Sequence, residues 1–189
     1  MTRQEDVTAA VHEAIRLLGQ LDIVVNNAGG MNFMVPFLDM RISGWEKIMR
    51  LNLDSTIYVC QAAGAHLRER GSGSVINVAS VAGMSGTPGL IPYGASKAAV
   101  ISVTRTLAVE WAPYGIRVNA LCPGTARTPM VDTAVANDPS LEQYLAGLHP
   151  IGRIGRAEEI AAGAVWLCSD AASFVLGHAL AVDGGYVIP

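Results

Sequence analysis

Four short runs of almost continuous apolar residues, set between longer stretches with helical periodicity, constrain this chain more than any other feature. They are Leu21-Asp-Ile-Val-Val25, Ser74-Val-Ile-Asn-Val-Ala79, Ile116-Arg-Val-Asn-Ala-Leu121 and Ala179-Leu-Ala-Val-Asp183. A strand with one wet face alternates polar and apolar side chains. These runs barely alternate, so they read as strands covered on both faces. Between them, residues 3–18 place Val7, Ala10, Val11, Ala14, Ile15 and Leu18 on one helical stripe, which Gly19 ends. The spacing predicts further helices over about 43–70, 93–112 and 157–169. Gly71-Ser-Gly-Ser74 breaks the first of these, and Pro113 with Gly115 stops the second. Residues 125–150 read as an irregular or helical excursion. Strands that alternate with helices of this length imply parallel βαβ units joined by right-handed crossovers. No repeat, linker or low-complexity segment divides the chain, so one domain over residues 1–189 is expected.

Composition removes several function classes. The 189 residues are 51% apolar and only 15% charged, enough for a substantial core. The net charge of −3, with both signs interspersed, offers no basic face for a phosphate backbone, so no nucleic-acid partner is expected. Cys60, Cys122 and Cys168 are far apart and form no C-x-x-C pair. His12, His66, His149 and His178 show no ligand spacing, so no metal is expected. Neither a signal-peptide pattern nor a membrane-length apolar stretch is present, and a soluble cytoplasmic protein is the expectation.

The chemistry starts at Tyr93-Gly-Ala-Ser-Lys97. Tyrosine and lysine four apart near a helix start project from one face. A phenol with an ordinary pKa of about 10 is a poor proton shuttle at neutral pH, and a neighbouring cation favours its ionised form. The pair alone is weak, since about one chain in twenty of this tyrosine and lysine content would carry it by chance. Its context adds weight. Ser80 ends the second apolar run, and in an open parallel sheet the carboxyl ends of strands face the ligand crevice. A hydroxyl there can bond the same substrate oxygen that Tyr93 protonates, although a lone serine at that place is more often a turn or cap residue.

Together with Asn26-Asn-Ala-Gly29, Asn52 within Leu51-Asn-Leu53, Ile116-Arg-Val-Asn119, Pro123-Gly124 and Val182-Asp-Gly-Gly185, these residues resemble the classical short-chain dehydrogenases/reductases in order and spacing along essentially the whole chain. The resemblance implies hydride transfer between NAD or NADP and a small carbonyl or secondary-alcohol substrate. It makes Tyr93 the general acid or base, has Lys97 lower the Tyr93 pKa and bind the nicotinamide ribose, and has Ser80 orient the substrate oxygen. Asn52 would hold a water that links Lys97 to solvent. Asn27, Ala28 and Gly29 would lie beside the cofactor ribose. Pro123, Gly124, Ala126 and Thr128 would approach the nicotinamide, with Thr128 near its carboxamide or phosphate. A homo-oligomer is implied as well, formed through the long helices and the last strand.

Some of these segments have plainer readings. Asn26 is expected to tie the sheet rather than touch a ligand, and Asn119 is expected to be structural. Asp183-Gly-Gly suits a terminal turn and subunit packing, and Gly83–Gly89 a loop over the active site. Met84, Pro88, Leu90, Met130 and Leu148 suggest an apolar substrate pocket.

The family also carries a strand, a glycine-rich turn and a helix whose N-terminus holds the pyrophosphate. No such turn occurs in these residues. The expected fold is therefore a partial Rossmann-like, doubly wound parallel sheet lacking its first βαβαβ half, with the strand at Ile23–Val25 left as an edge. Impaired cofactor binding is expected with it. The alternative is a truncated, non-catalytic interaction protein or a fragment unable to bind cofactor alone.

Overall fold

The apolar runs form the strands β1 (Ile23–Asn26), β2 (Gly73–Val78), β3 (Ile116–Pro123) and β4 (Ala179–Val182) of one sheet in a computed structural model. The structure describes residues 2–31 and 33–188, and Met1, Asn32 and Pro189 lie outside that description. The strand order is β1-β2-β3-β4 and every pairing is parallel. Parallel neighbours cannot be joined by a hairpin, so each connection carries helix. The helices are α1 (Gln4–Leu18), α2 (Ile42–Met49), α3 (Ser55–Arg70), α4 (Ile91–Trp111), α5 (Pro129–Asn137), α6 (Ser140–Gly147) and α7 (Ala157–Cys168).

The sheet is covered on both faces, which is why its central strands carry so little polar alternation. Val75, Ile116 and Val118 pack against Cys60, Ala63 and Leu67 of α3 and Ala108 of α4. Ile76 and Leu121 point the other way, onto Leu167, Ile160 and Ala164 of α7. A third cluster, Ala79, Val100, Ile101, Ala120 and Cys122, lies at the carboxyl ends of β2 and β3. The expected doubly wound parallel α/β architecture is thus present, as four strands. Among the described residues β1 pairs with β2 alone, and Ile23 and Val25 are each 47% exposed.

Two elements differ from expectation. The single helix predicted over 43–70 is interrupted by a π-helical turn, Arg50–Asp54, centred on the fully buried Asn52. Such a turn frees carbonyls from the helical ladder. The hydroxyls of Ser55 and Thr56 bond those of Leu51 and Asn52. The excursion at 125–150 resolves into α5, capped by Thr128 and opened by Pro129, and the short α6. No helix of the described residues is long and apolar enough to cross a membrane.

Buried asparagines tie these layers together. Asn26 donates to Asn77 at 2.8 Å and to the Cys60 sulfur, and Asn77 donates to Thr104 of α4. Asn119 donates to the Val175 carbonyl and accepts from the His178 N–H, fixing the entry to β4. Both asparagines singled out as structural thus stitch the sheet to its surroundings. The Asp183 carboxylate accepts the N–H groups of Gly185 and Val187 and closes the terminal turn.

Candidate active site

The carboxyl ends of β2 and β3 and the first turns of α4 meet in one place, and the candidate residues converge there. Ser80 follows β2, is nearly buried, and accepts the Ala82 N–H at 3.1 Å, which starts a short 3-10 turn. Its hydroxyl lies close enough to the Tyr93 phenol to favour the ionised form. Tyr93 and Lys97 stand one turn apart on α4, with the Lys97 ammonium over the Tyr93 ring, 5.8 Å from its centroid. Lys97 is buried and donates to the Val78 carbonyl at 2.7 Å.

Burial dominates the electrostatics of the pair. Burial pushes the Tyr93 phenol above its ordinary value, and the nearby Ser80 hydroxyl only partly offsets that. The same burial pulls Lys97 down from 10.5 to about 8, with the nearby Cys122 opposing the fall. Lys97 donates to the Val78 carbonyl, and the phenol sits where burial makes its ionisation costly. The arrangement holds a neutral phenol and a cation whose proton is easily lost.

Asn52 ties two parts of the site together through its side chain. Its Oδ1 accepts the Gly30 N–H at 2.8 Å, and its Nδ2 donates to the Gly30 carbonyl and to Ser96 Oγ. Ser96 in turn donates to the Tyr93 carbonyl. The amide thus clasps the turn after β1 to the start of α4. Gly29 lies against this clasp: a Cβ there would sit 2.8 Å from Asn52 Oδ1 and 3.2 Å from Lys97 Nζ. Asn27 and Ala28 line a cleft of about 170 Å³ with Val25, Ser55, Thr56 and Val59.

Across the crevice, β3 runs into Pro123 and Gly124. A Cβ on Gly124 would lie 2.8 Å from His149 Nε2 and 2.9 Å from the Asp183 backbone, so only glycine fits there. Ala126 forms a parallel bridge with Gly155, and Thr128 uses its hydroxyl to cap α5. Met84 and Met130 are exposed, whereas Leu90 and Leu148 are half-buried. Ser96, Gly30 and the Val78 carbonyl escaped the sequence reading. Only Ser96 left a signal, a hydroxyl inside the helix between Tyr93 and Lys97.

Known proteins resemble the chain throughout. The family profile described as Enoyl-(Acyl carrier protein) reductase matches residues 1–187. A 2,5-dichloro-2,5-cyclohexadiene-1,4-diol dehydrogenase of Sphingobium indicum is 42% identical over 187 residues, covering 98% of this chain and 75% of the relative. The solved structure of ElxO with NADP bound superposes with a TM-score of 0.96 at 30% identity, over 100% of this chain and 76% of that one. A gluconate 5-dehydrogenase from Burkholderia cenocepacia, in complex with NADP and tartrate, gives 0.93 at 36% identity, over 100% and 73% respectively.

Proposed function

The chain belongs to the classical short-chain dehydrogenase/reductase family, and from that premise we propose that it is an NAD(P)-dependent oxidoreductase interconverting a carbonyl and a secondary alcohol, with Tyr93 as the group that moves the proton. The observation that carries this reading is the Lys97 ammonium over the half-buried Tyr93 ring, with Ser80 alongside where β2 ends. The intact set of Ser80, Tyr93, Lys97 and Asn52 supports an enzyme over a non-catalytic interaction protein.

The residues present fit the nicotinamide–ribose end of the cofactor. Lys97 spends one of its three N–H donors on Val78, leaving donors for a ribose diol. The bare backbone of Gly29 runs against its ammonium, with Asn27 and Ala28 alongside. Pro123, Gly124, Ala126 and Thr128 would face the nicotinamide from the β3 side. When bound, the nicotinamide supplies or accepts the hydride. In carbonyl reduction Ser80 holds the substrate oxygen by a hydrogen bond, and Tyr93 delivers its phenolic proton to that oxygen. In oxidation the phenolic oxygen receives it. The Lys97 charge beside the ring favours the phenolate as it forms, and a proton from solvent restores the phenol before the next turnover. Asn52 acts as a positioning residue, keeping the Gly29–Gly30 turn and the start of α4 at a fixed separation.

The rim residues Met84, Pro88, Leu90, Met130 and Leu148 support an apolar substrate. The free cysteines support a reducing compartment such as the cytoplasm. The exposed Val165, Trp166 and Phe174 support assembly as a homo-oligomer. The test is to incubate the chain with NAD and NADP and a panel of cyclic and acyclic secondary alcohols, following the absorbance of the reduced nicotinamide. The proposal expects turnover that Tyr93→Phe lowers roughly a thousandfold. Turnover that survives in a folded variant would remove Tyr93 from its role.

A further inference from the structure

His149 is a buried titratable side chain that the chemistry above leaves unused. It is only 3% exposed, follows α6, and has a hydrogen bond on each ring nitrogen. Nδ1 lies 2.8 Å from the Leu145 carbonyl, and Nε2 lies 3.0 Å from the Thr125 nitrogen. A carbonyl only accepts and a backbone N–H only donates, so the tautomer that satisfies both bonds carries its proton on Nδ1 and its lone pair on Nε2. The imidazole also tilts against the Tyr186 ring at 5.4 Å, and the following loop bonds the terminal turn through Ile151 N–H and the Gly184 carbonyl.

One ring therefore joins three pieces of chain: the loop after β3, the helix α6 over the crevice, and the terminal turn after β4. The loop backbone is otherwise held by main-chain bonds: the Gly124 N–H donates to the Val182 carbonyl, the Thr125 carbonyl accepts from Gly155, and the Arg127 N–H donates back to the Gly155 carbonyl. Among the described residues, His149 is the one side chain that bonds the loop backbone between Gly124 and Arg127. It also packs where a Cβ on Gly124 would stand. Loop residues Ala126 and Thr128 are those the proposed function turns toward the nicotinamide.

We propose that His149 is a positioning residue for that reaction: a strut between α6 and the Thr125–Thr128 loop that sets the cofactor-facing backbone through its Nε2 lone pair. The inference deepens the proposed function and rests on it. It also makes the substrate-side helix and the cofactor-side loop mechanically one unit, since both hang on the two nitrogens of a single ring.

Two amide variants separate the nitrogens. In His149→Gln the terminal oxygen reaches the place of Nε2 and can still accept the Thr125 N–H. In His149→Asn the shorter amide reaches the place of Nδ1 and keeps only Leu145. A merely structural role predicts equal damage from both, because both lose the ring. The strut predicts that His149→Asn raises the KM for the nicotinamide cofactor about tenfold, with kcat much less affected, while His149→Gln stays within about threefold of wild type. Hydrogen exchange of the Thr125–Arg127 amides should quicken about tenfold in the asparagine variant relative to the glutamine variant. Equal KM values, or equal exchange, in two folded variants would overturn the proposal. Should His149→Asn fail to fold, the wild-type chain decides: a Thr125 amide that exchanges as fast as exposed loop amides overturns the strut, and a protected one supports it. A wild-type chain that turns over no alcohol or carbonyl sinks the proposed function instead, and the exchange comparison tells that failure apart from failure of the strut.

Discussion

At the scale of single residues, the site is defined by what burial does to two groups of opposite character. The Tyr93 phenol is pushed up and the Lys97 ammonium is pulled down to about 8, so both favour their neutral forms more than they would in water. The chemical consequence has a definite sign. Carbonyl reduction needs a protonated phenol and profits from a charged Lys97. We therefore expect kcat/KM for reduction to be level below pH about 8 and to fall above it as Lys97 loses its proton. A pH–rate profile checks this, and a profile still rising well above that value would contradict it. The motif spacing made Tyr93, Lys97 and Ser80 legible because each of them is named by neighbours a few residues away. The direction of the Tyr93 shift was not legible, because it depends on the layers that bury the phenol. His149 was not legible either, since one histidine in an irregular stretch says nothing until Thr125 and Leu145 are brought to it.

At the scale of elements, two side chains hold helix ends and turns in place, and each can be removed. Arg117, on β3, spreads its guanidinium over the carbonyls of Leu167, Cys168, Ser169 and Ala172, where α7 ends. Those carbonyls are the orphan acceptors of a helix terminus, and a cation there suits the negative end of its dipole. Arg117→Met should cost about 2 kcal/mol, or roughly 6 °C in Tm, with the Tyr93 site unaffected. Thermal unfolding beside an activity assay would show it, and an unchanged Tm would refute the capping role. Asn52→Ala strips the Gly30 backbone and Ser96 of their partner. We expect a similar loss of stability together with a raised cofactor KM, which the Arg117 variant should not show. The alternation of apolar runs with helical stripes exposed the parallel sheet, because strands covered on both faces must be apolar almost throughout. The π-helical turn stayed hidden. Periodicity through Ile48, Leu51 and Val59 continues across it, and the Asn52 bonds made there reach Gly30, a partner 22 positions away in the chain.

For the molecule as a whole, keeping Lys97 buried is a stability cost that pH can reveal. Between pH about 8 and 10.5 the unfolded chain holds a proton that the folded chain has released, so this group makes stability rise with pH across that window. Below it the full penalty applies, up to about 3 kcal/mol. The buried thiols act in the opposite sense: Cys60 is pushed up to about 12 and Cys122 to about 11, so their share of stability declines above pH about 9. Comparing Lys97→Met with wild type cancels most of the thiol effect. The variant's relative stability should be greatest near pH 7 and shrink toward pH 10, as read by denaturant unfolding at each pH, and a constant difference would mean that Lys97 is not desolvated. These scales meet in one claim, that a neutral Tyr93 phenol supplies the proton while hydride passes between nicotinamide and substrate. The most direct measurement uses reduced nicotinamide deuterated at the transferring carbon and asks where the label goes in one turnover. The account predicts deuterium on the carbinol carbon of the product with wild-type chain, and almost none over the same time with Tyr93→Phe. Label transferred at the wild-type rate by the folded phenylalanine variant would contradict it.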